Sequence, residues 1–143
     1  TDACGWSNEN EPDDLIDAIA ISVVKRSCAI SKFSFTHEIG HLMGAGHDRF
    51  ANGARSTDTR FNHGHVSLEA KKYTLMWLGT LCRDKGVNCS RLNRWSSPAE
   101  VYANRPGIKM GAAGGNEAAD NVRALNQTAC KVAKFRPLAS EGG

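Results

Sequence analysis

Apolar residues recur along this chain with two different periods, and each period predicts a different kind of element. Ile19, Ile21 and Val23 stand at every second position of a β-branched stretch, so a strand with one apolar face is expected near residues 18 to 25. Phe35, Ile39, Leu42 and Met43 recur at three- and four-residue spacing, which predicts a helix over about residues 32 to 43 with Ser31 as its cap and Gly44 as its stop. Ala118, Val122, Leu125, Ala129 and Val132 form a second helical stripe. It predicts a C-terminal amphipathic helix packed on the core, with Asn116 as the cap candidate.

The stretches between these elements are polar and rich in turn formers. Residues 8 to 14 are Asn, Glu, Pro and Asp and read as a surface loop, with an acidic calcium site left open as the alternative to plain solvation. Irregular structure is expected from Asp48 to about Tyr73, and further loops through Asn104-Arg105-Pro106-Gly107 and Gly111 to Gly115. No internal repeat and no second domain is visible. The chain is read as one unit over residues 1–143, with residues 1–44 forming its upper half and residues 45–143 its lower.

Composition narrows the class. With 143 residues, 41% hydrophobic and 23% charged, the chain is large enough to bury a core and resembles a soluble globular domain. No apolar run approaches the roughly 20 residues of a membrane-spanning helix. A formal net charge of +3 spread over dispersed Lys and Arg argues against a nucleic-acid partner. The opening Thr1-Asp2-Ala3-Cys4 carries no leader, so any signal or pro-segment is expected to lie outside this numbering.

Five cysteines contain no C-x-x-C clamp, which favours disulfides and an oxidising, extracellular compartment. The turn-rich interval between Cys82 and Cys89 suits a local bridge, and Cys4 with Cys28 is the natural second pair. Cys130 is then free, paired with a cysteine elsewhere, or a small buried thiol.

The chemistry lies on the first predicted helix. His37 and His41 are four residues apart, slightly more than one helical turn, so both imidazoles project from the same side. Glu38 leaves at an angle suited to accepting a proton from an attacking water, as a general base does. Gly44 allows a sharp exit from the helix, and Ala45-Gly46 brings His47 back as a third ligand. Three ligands with one open place are the mark of a hydrolytic rather than a structural zinc site. H-E-x-x-H arises by chance in on the order of one in a few hundred chains of this size, and requiring Gly44 and His47 reduces that by roughly another thousandfold. Three neutral imidazoles suit zinc better than calcium or magnesium. His63 and His65 share no such spacing and read as surface or strand residues.

The segment from Phe35 to Asp48 resembles the extended metzincin zinc motif without a gap, and Tyr73-Thr74-Leu75-Met76 looks like the Met-turn, with Met76 as its structural methionine. Ser22 to Cys28, Arg91 to Pro98 and Asp120 to Ala129 are similar to reprolysin-type metalloproteases of the adamalysin group, particularly microbial members. Leu78 stands where some relatives carry a tyrosine ligand, so no such ligand is assigned. In the family, substrate lies along an edge strand before the active-site helix, and Cys4-Gly5-Trp6-Ser7 is placed to resemble it. Only 36 residues precede His37, fewer than in related catalytic domains, so a minimal or N-terminally shortened fold is expected.

The resemblance implies an α+β metzincin-like domain with a mixed sheet, the zinc helix, a Met-turn and a C-terminal helix. It implies a secreted zinc endopeptidase acting on proteins or peptides, with Glu38 as base and His37, His41 and His47 as ligands. The competing class is a truncated or degenerate metzincin that holds zinc as a binding module without proteolysis.

Overall fold

The computed structural model describes residues 3–51, 60–78 and 80–135. They form a mixed α and β domain. The strand β1 (Gly5–Ser7) pairs antiparallel with β2 (Ser22–Val24), placing Trp6 opposite Val23. The Cys4–Cys28 bridge, Cα atoms 5.5 Å apart, ties the start of β1 to helix α1 (Arg26–Ala29). The second strand is shorter than its alternation predicts, because residues Asp17–Ile19 wind into a single 3-10 turn. Its apolar face is also not a core face: Ile21 and Val23 are 52% and 65% exposed.

Helix α2 (Ser34–Leu42) packs against both strands. It starts later than expected, after Phe33 in a left-handed conformation (φ 54°, ψ 26°). Ser31 does not cap it; the Ser31 hydroxyl donates to the Ser27 carbonyl of the preceding turn. Gly44, at φ 81°, ends the helix as anticipated, with its N–H on the His41 carbonyl. The face that α2 buries consists of Ser34, His37, Glu38, Gly40 and His41, whereas Phe35 is 57% exposed. The periodic apolar residues mark the helix; of them Ile39, Leu42 and Met43 are partly buried and Phe35 faces solvent.

Below α2 the chain is largely irregular, and residues 52–59 of that stretch lie outside the described set. Strands β3 (Val66–Ser67) and β4 (Lys72–Tyr73) pair antiparallel, and β5 (Ser90–Arg91) joins β4 in parallel. Between them α3 (Thr80–Asp84) carries Cys82, bridged to Cys89. A hairpin of β6 (Ser97–Tyr102) and β7 (Arg105–Met110) occupies the region expected to be loop around Asn104 to Gly107. Its pattern is hidden because little more than its ends is buried, and because Pro98, Pro106 and two register shifts interrupt the ladder. Tyr102 and Met110 from this hairpin, with Ala70, form a compact hydrophobic cluster flanked by Leu92 and Ile108. The expected single mixed sheet is thus divided among three small ones, of which β3-β4-β5 is mixed.

Helix α4 (Asn121–Val132) closes the described chain. Asp120, not Asn116, is its cap, accepting from the Arg123 N–H at 3.1 Å. Asn116 belongs to a separate 3-10 turn. The buried positions are Asn121, Ala124 and Thr128, so the stripe is displaced from the predicted one, and Ala129 is exposed. Small residues permit close approach here, and the Thr128 hydroxyl donates to the Met43 carbonyl at the end of α2. Cys130 is exposed and outside both bridges, not a buried thiol. Among the described residues no helix is long and apolar enough to cross a membrane.

Candidate metal centre

Helical geometry brings His37 and His41 to one side of α2, and the turn at Gly44 returns His47 to meet them. The three Nε2 atoms lie 3.0 to 3.2 Å apart. Nitrogens about 2.0–2.1 Å from a tetrahedral zinc stand roughly 3.3 Å from one another, so the triangle fits such an ion closely. The tautomer agrees: His37 Nδ1 donates to the Leu75 carbonyl at 3.0 Å, which leaves its Nε2 lone pair facing the other two rings. Three lone pairs at this separation repel unless a cation sits between them. Burial favours the neutral form of His37 and His41, as ligation requires. It lowers the pKa of His37, with the charge of Arg91 adding to the effect. His41 is pushed down to about 3 by burial, then by His47 and His37. Among the described residues these three histidines form the one group of three or more His, Cys, Asp or Glu whose ligand atoms converge.

Glu38, 6% exposed, lies beside the triad and shares with it a cavity of about 280 Å³ lined also by Trp6, Ser7 and Leu78. Its Oε2 accepts a hydrogen bond from the Ser7 hydroxyl at 2.7 Å. Burial raises its pKa and the Ser7 bond opposes that rise. The backbone of β1 passes so close that a Cβ on Gly5 would stand 2.5 Å from Glu38 Oε1. The carboxylate is therefore held from the β1 side by one hydroxyl and a bare stretch of main chain.

Met76 is fully buried beneath α2. A Cβ on Gly40, between the two helical histidines, would meet its Sδ at 3.1 Å and the Trp95 ring at 2.7 Å. Asp48, directly after the third histidine, locks this layer in place. Its N–H donates to the Met76 carbonyl at 2.9 Å, and its carboxylate accepts from the N–H of Leu78 and of Phe50, each at 3.1 Å. Leu78 is half exposed at the cavity rim.

The chain is 36% identical over 117 residues to a peptidyl-Asp metalloendopeptidase of Stenotrophomonas maltophilia (strain R551-3), covering 82% of this chain and 26% of that protein. It is 35% identical over 119 residues to a namesake from Xanthomonas campestris pv. campestris, covering 83% and 25%. A peptidyl-Asp metalloendopeptidase of Pseudomonas fragi is 30% identical over 109 residues, covering 76% and 62%. The chain is a homologue of metalloendopeptidases. It spans about a quarter of the length of the first two relatives. No family model matches it, and no solved structure does.

Several residues join the site without any local signal in the sequence. Glu9, from the loop expected to be merely solvated, places Oε1 3.6 Å from His47 Nδ1 and 4.0 Å from His41 Nδ1. Burial, and next the charge of Glu11, raise its pKa. Asn10 of the same loop is buried, its side chain donating to the Leu42 carbonyl at 3.2 Å. His63 is buried rather than on the surface, with Nδ1 3.0 Å from the His47 carbonyl. His65 Nδ1 is 2.8 Å from the Tyr102 hydroxyl. Neither belongs to the metal-holding group.

Proposed function

We propose that this chain is the catalytic portion of a secreted zinc endopeptidase of the metzincin type, similar to reprolysin-like enzymes, that hydrolyses internal peptide bonds. The observation that carries the reading is the convergence of three imidazoles and one buried carboxylate on a single open cavity beside a strand that is an edge among the described residues. His37, His41 and His47 would hold the ion. When bound, zinc supplies Lewis-acid chemistry, polarising a carbonyl and making water a better nucleophile. Glu38 takes a proton from the attacking water and returns it to the leaving amine nitrogen, a role that a carboxyl with raised pKa suits. Ser7 keeps that carboxylate in place. Glu9 stands behind the rings of His41 and His47, near enough to act on them through charge but beyond hydrogen-bond distance. Met76 supports α2 from below, and Leu78 leaves the cavity without a tyrosine ligand.

An extended peptide adds to the unpaired edge of β1, whose Gly5, Trp6 and Ser7 line the cavity. The relatives are named for aspartyl peptides, and the same preference is proposed here. Two disulfides support an extracellular setting. The deciding experiment is Glu38→Gln: the variant retains zinc by elemental analysis and loses peptide hydrolysis by about 10²–10⁴-fold. Hydrolysis at the parental rate would sink the assignment.

A further inference from the structure

A second cavity, of about 270 Å³, shares Gly5, His37, Glu38 and Leu78 with the first and is lined as well by two cationic residues, Lys32 and Arg91. The two are joined by the main chain: one terminal nitrogen of Arg91 donates to the Lys32 carbonyl at 2.7 Å, the other to the Trp77 carbonyl at 3.0 Å. Arg91 also lies over the Tyr73 ring at 5.8 Å, and Tyr73 stacks on Trp77 at 3.5 Å. The guanidinium is half-buried and fixed, yet its bonds go to two neutral carbonyls and to the Tyr73 side chain, none of them an acid's. A guanidinium has five N–H donors, so capacity for a carboxylate remains. Among the described residues neither Arg91 nor Lys32 pairs with an acid. Glu38 accepts from the Ser7 hydroxyl and, among the described residues, forms no ion pair with either cation. A cation held out of water without a partner is costly unless it meets an anion during function.

We infer that Lys32 and Arg91 form the specificity subsite for an acidic side chain of the substrate residue flanking the scissile bond. This rests on the endopeptidase reading and deepens it by naming what reads the aspartyl group. The cavity borders both the proposed base and a proposed ligand, and β1 residue Gly5 lines it together with Cys4 just before the strand. A peptide laid along β1 therefore drops one side chain between the carboxylate that moves the proton and the two cations. Arg91, rigid and forked, supplies directional bonds; Lys32, exposed at the mouth, supplies a mobile charge.

The test uses zinc-loaded protein and peptides blocked at both ends, differing only in Asp or Asn on either side of the cleaved bond. The Asp peptide is expected to be cleaved with a kcat/KM roughly ten- to a hundredfold higher, the range for a hydrogen-bonded charge. Lys32→Met lowers that ratio severalfold and Arg91→Met brings it near one. The ratio is insensitive to partial unfolding, because both peptides then suffer alike. A parental ratio near one, or a ratio that both variants keep, overturns the subsite. Matching peptides with a free C-terminal carboxylate are run alongside, and an acid preference confined to them also overturns the subsite, because it places a chain end there. In parallel, the Glu38→Gln protein is titrated calorimetrically with the same blocked peptides. If the parental protein cleaves neither peptide but the Asp peptide binds the Glu38→Gln protein more tightly and the two substitutions abolish this, the endopeptidase reading falls and the subsite stands. Equal binding of both peptides in that case overturns the subsite as well.

Discussion

The two longest helices announce themselves by the same kind of apolar periodicity, yet they are held by different forces. Helix α4 has a side-chain cap at Asp120, buries the small residues Ala124 and Thr128, and reaches the end of α2 through one hydroxyl. Helix α2 begins on a left-handed residue with no side-chain cap and turns two imidazoles and a carboxylate inward. Burying such groups is unfavourable unless each finds a partner. Those partners come from other segments: the Leu75 carbonyl for His37 and the Ser7 hydroxyl for Glu38. An ion would satisfy the remaining Nε2 lone pairs. The contrast teaches that α4 is a structural helix by local means, whereas α2 depends on its surroundings and, on the proposed reading, on a bound metal.

The largest effect should follow from removing that metal. Zinc present at about a thousandfold its Kd contributes roughly 4 kcal/mol to stability, all of which chelation withdraws. Amide hydrogen exchange should then accelerate across α2 while α4 stays protected; equal acceleration in both helices would erase the contrast. A smaller loss is expected from Gly40→Ala, because the new methyl would enter space held by Trp95 and Met76. Ala favours a helix over Gly by about 1 kcal/mol, but overpacking costs about 1–3 kcal/mol, so a lowered Tm is the expected net outcome. The smallest is Asp120→Ala in α4. Loss of the cap should cost about 1 kcal/mol by denaturant titration, with zinc content and peptide hydrolysis unchanged.

What was legible in the sequence shares one property, short range. The spacing of His37, Glu38 and His41 translates directly through helical geometry, and Gly44 with His47 extends it by one turn. The Cys82–Cys89 bridge is equally local. The stripes located both helices because periodicity reports that a helix forms, but it did not report which side is covered. That side is chosen by distant segments: β1, Leu75, Met76 and Trp95 cover the polar face of α2 and leave Phe35 in water. The β6–β7 hairpin escaped notice because so few of its side chains are buried that no alternation is written into it.

The sequence by itself pointed to the candidate donor set: His37, Glu38 and His41 stand at fixed helical offsets, and Gly44 lets the chain return His47 within a few residues, so their approach depends on local backbone geometry. Only the tertiary structure decided what holds and surrounds that set. Ser7 reaches Glu38 across 31 positions, Asp48 ties the third histidine to Leu78, and Arg91 meets Lys32 across 59. Such pairs leave no local periodicity behind, because hydrogen bonds and charges act on distance in space and not on separation along the chain.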